Sequence, residues 1–462
     1  MKGWPLFFRQ VLYRDLGCAS YLLGDGGEAV VVDPRWDIAA YLEIAAAEHL
    51  RITHVIDTHE HADHVSGRLG LARATGAWPH RPVIAAAGSS ADTISPGAEI
   101  MVGAVCLTAL AAPGHRPEHL AFVVADLSRS SEPWMLLTGD SLLIGDIARP
   151  DLAATAVEGA HDLHASLRRL LAVGDYVEVW PAHIGGSLCG GAGLSGKTSS
   201  TVGFERRHDP LLGLDEDEFV ASLTSSLPSR PPNVDRIVGL NRRTSGPSPA
   251  APSALAGDAL RRALATPATV IDSRPPPEFD AGHIAGSINL PVASPGVGTR
   301  AGWALDPLQP VLIVAGDDTD AERMTLALQA VGFWRLEGTC IADPASWQHD
   351  SIPVARADAW DLEQLAAGLR RDAVDLVDVR EPSEWNSGHI AGSHHVPLHR
   401  LRDVESIVLP QPGRTTAVAC AAGARAAFAA SLLRRAGRTD VVRVSGGGIP
   451  DLGALGLELA LG

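Results

Sequence analysis

Between Thr58 and His64 the chain reads Thr-His-Glu-His-Ala-Asp-His, which puts His59, His61, Asp63 and His64 within a few residues of one another. Imidazole nitrogen and carboxylate oxygen are the donors that Zn, Fe and Mn share. Such a dense cluster points to a metal centre, and His115, Asp140 and His183 further along add three donors of the same kind. A second, unrelated chemistry is written near the C-terminus. Cys420 opens the loop Cys-Ala-Ala-Gly-Ala-Arg, with Gly423 and Arg425 in it. A cysteine placed between an apolar run (Ala417–Ala419) and a helical pattern (Ala426–Arg435) faces unpaired N–H groups and the positive end of a helix dipole. That setting lowers a thiol pKa from ~8.5 into the range ~3.5–7.5. Arg425 adds a cation, and Gly423 lets the loop curl so that its N–H groups aim at one bound atom.

The elements that must hold these groups follow from the apolar runs. Ile52–Ile56, Val105–Leu110, Met135–Leu137 and Val177–Trp180 each stop at a polar segment carrying His59, His115, Asp140 and His183 in turn. Strands that each end at a His or Asp bring these groups to one sheet edge, on loops held by a rigid sheet. Clustered Pro, Ser and Gly between Leu227 and Pro252 read as a linker, with a looser break at Asp350–Asp358. Beyond the linker the chain repeats. VIDSRPPPEFDAGHIAGSINLP from Val270 and LVDVREPSEWNSGHIAGSHHVP from Leu376 share eleven of 22 positions at an offset of 106. Both copies run from an apolar strand ending in Asp-x-Arg to a helical pattern, which implies parallel sheets. At the place of Cys420 the first copy has Val314 or Ala315, neither a nucleophile, followed by the acidic Asp317, Asp318 and Asp320.

The chain has 462 residues, room for several domains at roughly 100–200 residues each. Its formal charge of −16 repels nucleic acid and anionic membranes. Five cysteines, sparse and odd in number, make no disulfide framework and fit a reducing compartment. The N-terminal apolar stretch is broken by Arg9 and Arg14, unlike a signal peptide, and no run of about 18 apolar residues suggests a membrane span. The expectation is a soluble, cytoplasmic enzyme. Its oligomeric state stays open, a homo-oligomer included.

HxHxDH with these strand-end donors resembles the metallo-β-lactamase superfamily over about the first 240 residues. The resemblance implies an αββα sandwich with two metal positions. One would use His59, His61, His115 and Asp140; the other Asp63, His64, His183 and Asp140. The residues alone leave one metal or two open. THxHADH, PGHxxxH, TGD-x-LLIG followed by ARPDL, and PAH are similar to the persulfide dioxygenase branch. That branch implies one Fe(II) per chain on the facial triad His59, His115 and Asp140, with His61, Asp63, His64 and His183 hydrogen-bonding around it. It also implies that Arg149 contacts the acidic part of a carrier thiol, although the chain reads Asp-Ile-Ala-Arg-Pro-Asp where the branch often has Cys-Gly-Arg-Thr-Asp. Cys189, in GGSLCGG, stands where fused relatives carry GSPCG, which implies a thiol near the persulfide entrance. Cys18, Cys106 and Cys340 read as buried small hydrophobes, and His161 and His164 as solvated.

The C-x4-R loop and DVREPSEWNSGHIAGS resemble rhodanese sulfurtransferases, which implies that Cys420 carries sulfane sulfur as a persulfide. The expected architecture is α/β: a metallo-β-lactamase-type domain over 1–245, a degenerate rhodanese domain over 250–352, and a rhodanese domain with Cys420 over 356–462. The order resembles persulfide dioxygenase–sulfurtransferase fusions. It implies oxidation of a low-molecular-weight thiol persulfide by O₂ to sulfite and free thiol, and transfer of sulfur through Cys420 to give thiosulfate. The rival expectation is a glyoxalase II-like thioester hydrolase with one or two zinc ions, a branch that typically has a bulky residue where Ala62 stands.

Overall fold

The computed structural model describes residues 6–83, 90, 92–185, 189, 190, 193–225, 227, 229–243, 245 and 250–461. The chain divides into two compact units, residues 1–248 with 330–332, and residues 249–329 with 333–462.

Two six-stranded sheets make the first unit. One runs Phe7–Tyr13, Cys18–Asp25, Glu28–Val32, Arg51–Ile56, Trp78–Pro82 and Thr93–Ile94. The other runs Ser200–Thr201, Glu178–Pro181, Met135–Gly139, Leu120–Asp126, Val105–Ala111 and Glu99–Val102. Side chains alternate across a strand, so each strand feeds two cores. Tyr21, Leu23, Val30, Val32 and Ile56 meet Leu107, Phe122, Val124 and Leu137 between the sheets. Their neighbours Leu22, Val31 and Val55 point outward to Tyr41 and Leu71 on the helices Ala39–Ala47 and Arg68–Thr75. Ala121, Leu136 and Val179 point outward from the second sheet to the helices Ala156–Leu171 and Glu216–Thr224. The result is the expected αββα sandwich. Burying each large apolar side chain here contributes about 1.5–3 kcal/mol. The helix Ala156–Leu171 starts at a Thr155–Glu158 capping box and buries Leu163, Leu167 and Leu170 on one face. His161 lies on the exposed side, as expected, but bonds Glu216 at 2.7 Å, and half-buried His164 packs on Phe219.

One sequence expectation is corrected here. Part of the stretch read as linker is a helix, Val234–Asn241, whose Val234, Ile237, Val238, Leu240 and Asn241 are buried. It packs over Ala62 and Leu152. Pro and Ser on both sides of it drew attention away from the apolar spacing Val234, Ile237, Val238. The linker residues 228, 244 and 246–249 lie outside the described residues.

The two larger sheets of the second unit are parallel. The first copy orders Ile288–Asn289, Thr269–Asp272, Val311–Ala315 and Leu336–Ile341. The second orders Ala359–Trp360, Val441–Val444, Thr415–Ala419, Val374–Asp378 and His394–His395. Register decides between Val314 and Ala315. Asp272 pairs with Val314 and Asp378 with Ala419, so Cys420 corresponds to Ala315. The Asp-x-Arg signature is a buried ion pair in each copy, Arg274–Asp272 at 2.6 Å and Arg380–Asp378 at 2.7 Å. The same guanidiniums donate to the carbonyls of Gly282 and Gly388, both at 2.8 Å, tying the strand end to the GHI turn. Among the described residues, no helix is long and apolar enough to cross a membrane.

Breaking a buried pair from one side leaves an uncompensated charge. Asp378→Ala should therefore destabilise the second unit by about 3–5 kcal/mol. Urea titration followed separately in each unit should show the second transition moving to lower denaturant and the first staying in place. An unchanged second midpoint would mean that Arg380 needs no counter-charge.

Candidate functional site

The loops after Ile56, Ala111, Gly139 and Pro181 do bring their donors together. Nε2 of His115, His183 and His59 lie 3.3, 3.2 and 3.6 Å from Oδ2 of Asp140. All four side chains are fully or almost fully buried. One ligand atom each from His59, His115 and Asp140 falls within 4.8 Å of the others. His59 Nε2, His115 Nε2 and Asp140 Oδ1 make no hydrogen bond although no water reaches them. Buried polar atoms left this way are costly, and donors aimed at a common point are what a bound metal satisfies.

The protonation states agree. Burial, then the neighbouring histidines, hold His59 well below the ordinary imidazole pKa, and burial lowers His115 too. Burial would raise Asp140, but His183 and His115 beside it outweigh that and hold its carboxyl below the usual range. Neutral imidazoles and an ionised carboxylate are the forms that bind metal.

Hydrogen bonds from behind fix each ring. His115 Nδ1 donates to the Arg149 carbonyl at 2.9 Å, so its Nε2 faces the centre with its lone pair. His183 Nδ1 donates to the Gly17 carbonyl at 3.2 Å, which turns its Nε2 to the centre; burial would lower the His183 pKa, but Asp140 reverses this and holds it well above the ordinary imidazole value. His59 Nδ1 meets Thr58 Oγ1 at 2.9 Å, and that hydroxyl donates to Asp33 at 2.9 Å. His61 Nε2 lies 3.1 Å from Asp33 Oδ1, leaving Nδ1 without a hydrogen bond. Burial lowers the His61 pKa, but Asp33 more than reverses this and raises it to about 9. His119 spends its Nε2 lone pair on the Asp140 N–H at 2.9 Å and meets Ser141 Oγ at 3.2 Å through Nδ1. It positions Asp140 and is not turned to the centre. Gly139 makes this possible: its φ is +53°, and a Cβ there would lie 2.5 Å from His119 Nε2.

Asp63 and His64 form a neighbouring group. His64 Nδ1 lies 3.0 Å from Asp63 Oδ1, and His183 Nε2 lies 3.5 Å from Asp63 Oδ2. Two cysteines belong to it. Cys18, read from sequence as an inert hydrophobe, lies 3.3 Å from Asp63 Oδ2 with its thiol donating. Its strand reaches His183 through a backbone bridge, a contact no sequence spacing could reveal. Cys189 groups with Asp63 and His183, and burial pushes its thiol up to about 12. It is 3% exposed. Residues 186–188, 191 and 192 around it lie outside the described residues. Arg149 is buried, not superficial. Its Nε and Nη2 are both engaged by Asp151 at 2.7 Å.

The residue that sequence reasoning missed is Asn241. Its Nδ2 donates to the carbonyls of His61 and His64, both at 2.9 Å, and its Oδ1 accepts from the Ser66 N–H at 2.9 Å. The three bonds clamp the HxHxDH loop from the helix Val234–Asn241. The signal available was the apolar spacing of that helix, hidden in a linker-like composition.

The Cys420 loop lies in the second unit. Cys420 follows the strand Thr415–Ala419, and the helix starts at Ala424, two residues earlier than the sequence pattern suggests. The Gly423 N–H points at Cys420 Sγ at 3.0 Å, with Gly423 at φ +92°. Arg425 forms a two-pronged pair with Glu384 at 2.5 and 2.7 Å. Gly448 closes the loop from outside, where a Cβ would lie 2.2 Å from the carbonyls of Cys420 and Ala421. In the first copy the helix starts at Asp318, three residues after Ala315 instead of four, and Asp320 falls where Arg425 would.

Loss of the Asn241 amide leaves two carbonyls and one N–H of the ligand loop unbonded, at about 1–3 kcal/mol for a buried unsatisfied group. Asn241→Ala should lower the melting temperature of the first unit and quicken release of bound metal to a chelator. Wild-type values for both would show that the clamp does not hold the loop.

Comparison with known proteins agrees with this geometry. The metallo-β-lactamase superfamily signature matches residues 13–88, and the rhodanese-like domain signature matches 256–338 and 361–453. The human mitochondrial persulfide dioxygenase ETHE1 is 32% identical over 256 residues, 54% of this chain and 93% of that protein. A hydroxyacylglutathione hydrolase of Anaeromyxobacter dehalogenans is 31% identical over 46% of this chain and 87% of that protein. A crystal structure described as a metallo-β-lactamase from Staphylococcus aureus covers 73% of this chain and 99% of its own, with TM-score 0.65 and 28% identity. The chain thus belongs to the persulfide dioxygenase family of metallo-β-lactamase-fold proteins, here with two rhodanese-like domains following that fold in the same chain.

Proposed function

We propose that the protein oxidises a low-molecular-weight thiol persulfide with O₂ to sulfite and free thiol, and that Cys420 passes sulfane sulfur on to sulfite as thiosulfate. The observation that supports the first step best is the dry triad of His59, His115 and Asp140, with Nε2 and carboxylate atoms left for one ion. Fe(II) on two imidazoles and one carboxylate would supply O₂ binding and activation, because that ligation leaves coordination positions open. The chain's own residues orient the donors. Thr58 and Asp33 hold His59, the Arg149 carbonyl holds His115, and His119 holds Asp140. His61, Asp63, His64 and His183 surround the triad. Arg149 and Cys189, the proposed substrate contacts, join it through the backbone bond Arg149 N–H to Cys189 carbonyl at 2.9 Å. A side-chain contact from Arg149 to substrate would require it to exchange Asp151.

For the second step, the persulfide R–S–SH gives its outer sulfur to Cys420, the R–S bond partner leaving as thiol. Sulfite then attacks the outer sulfur of Cys420–S–SH, releasing thiosulfate and the thiol. Gly423 and Arg425 offer an N–H and a cation to that sulfur. Joining both activities in one chain raises the effective concentration of sulfite near its acceptor chemistry. We propose 1–245, 250–352 and 356–462 as the working domains, the middle one silent because Ala315 replaces the nucleophile. All five cysteines are free and buried, which suits a reducing location such as the cytoplasm.

The hydrolase relative keeps zinc-dependent thioester cleavage as the second reading. Ala62 speaks against it, packed under Leu152, Val234 and Val238 where a bulky residue would not fit. Metal analysis and O₂ uptake with a panel of persulfides decide between them. One iron per chain with O₂ consumption is expected; two zinc ions with thioester cleavage and no O₂ uptake would overturn the proposal.

Two variants should separate the chemistries. Asp140→Ala should abolish O₂ uptake while thiosulfate:cyanide sulfurtransferase activity persists. Cys420→Ser should retain O₂ uptake but shift product from thiosulfate to sulfite, because a serine hydroxyl is not ionised near neutral pH and holds no persulfide. Unchanged thiosulfate from Cys420→Ser, corrected for the uncatalysed reaction of sulfite with persulfide, would remove Cys420 as carrier.

A further inference from the structure

The first rhodanese-like copy has Ala315 in place of the nucleophile, yet it packs from two directions against the elements that flank the Cys420 loop of the second copy. The first is the helix Ala424–Arg435, which carries Arg425 in its opening turn. Its residues Ala426–Leu433 are all buried. A helix that is buried all round needs cover on every face, and the first copy supplies part of it. The Asn289 N–H donates to Ser431 Oγ at 3.0 Å, and Arg435 donates to the Gly286 carbonyl at 3.0 Å. Below the helix, Asp280 of the first copy and Arg443 of the second form a buried ion pair at 2.5 Å. Arg443 lies on the strand Val441–Val444, which runs into the Ser445–Gly448 turn that closes on Cys420.

The second direction is the helix Val297–Ala304, which packs against the segment Leu398–Ser406. Trp303 stands edge-on to His399, ring centres 6.1 Å apart and planes at 89°. His399 Nδ1 lies 3.7 Å from Glu381 Oε2. Glu381 reaches the catalytic loop through Glu384: its N–H donates to Glu384 Oε2 at 3.0 Å, and the same carboxylate holds Arg425. Trp303 Nε1, His399 Nδ1 and Glu381 Oε1 are all buried without a hydrogen bond. Packing holds this row, not its own hydrogen bonds: burial lowers the His399 pKa, so the ring beside Glu381 is neutral. Without the indole, His399 and Glu381 are free to turn toward other partners, and Arg425 loses a fixed neighbour.

We infer that the nucleophile-free copy is a positioning element for sulfur transfer: Trp303, acting through His399 and Glu381, and the Asp280–Arg443 pair hold the Cys420–Arg425 loop in its working geometry. This rests on Cys420 as the sulfur carrier. Neither Trp303 nor Asp280 touches the transferred sulfur, so both are positioning residues.

The test uses the full chain with thiosulfate as donor and cyanide as acceptor. Alkylation of the Cys420 peptide by iodoacetamide, followed against pH by mass spectrometry, reports the thiolate itself. Trp303→Ala should lower kcat/KM for sulfur transfer about ten-fold, the scale of a displaced reacting group. It should also move the alkylation midpoint up, since a loosened loop no longer aims the Gly423 N–H at sulfur. Trp303→Phe keeps a ring against His399 and should restore most of both. Asp280→Asn should shift both readouts in the same direction, and it carries the test if Trp303→Ala does not fold. O₂ uptake should stay at the wild-type level throughout. Wild-type rate and midpoint in Trp303→Ala and Asp280→Asn, or equal loss in Trp303→Ala and Trp303→Phe, would overturn the inference. Retained transfer by Cys420→Ser would instead show that the carrier assignment had failed.

Discussion

Imidazoles and one ionised carboxylate held together where water does not reach are the condition on which the N-terminal unit turns. An isolated carboxylate in such a place is expensive, and Asp140 is tolerable there because His183 Nε2 lies 3.2 Å from its Oδ2, with the His183 pKa raised well above the ordinary imidazole value by Asp140. The arrangement needs each ring locked in one tautomer, and the fold spends many polar groups on this. Thr58 and Asp33, the carbonyls of Arg149 and Gly17, and the His119 ring all act from behind the donors. The two-sheet sandwich brings the four strand ends to one edge, so the polar cluster stays at the rim of a core made of Tyr21, Val32, Phe122 and Leu137.

The same edge is closed from outside by the helix Val234–Asn241. Its Asn241 amide satisfies the carbonyls that the HxHxDH loop cannot use internally, while its apolar face packs on Ala62. A small residue at position 62 and a helix after the last strand are two parts of one solution. The thiols of Cys18 and Cys189 complete the surroundings of Asp63, protonated because they are dry.

In the second unit, duplication kept the scaffold and let the chemistry diverge. Both copies retain the buried Asp-x-Arg pair and the histidine of the GHI turn stacked on an aromatic neighbour, Phe279 or Trp385. These hold the strand end and turn, and they carry no chemistry. Only the second copy places a thiol, an N–H and a guanidinium around one small volume. The first copy has the shorter loop and an aspartate where the arginine would be.

Much of this was legible in the chain itself. The donors at strand ends, the internal repeat, the parallel order of the copies and the missing nucleophile all depend on local spacing and periodicity, which sequence displays directly. Tertiary structure decided the rest. Cys18 is far from His183 in sequence and reaches it only because a strand bridges to the last ligand loop. Asn241 was masked by the proline-rich composition around it, and its role exists only once its helix folds back on the histidine loop. Whether Val314 or Ala315 replaced the cysteine was a matter of register between strands, which pairing with Asp272 and Asp378 resolved. Sequence determines which groups can react and on which elements they ride. Which atoms of those groups are left for a metal or a sulfur is set by hydrogen bonds from distant segments, and these appear only when the chain has packed.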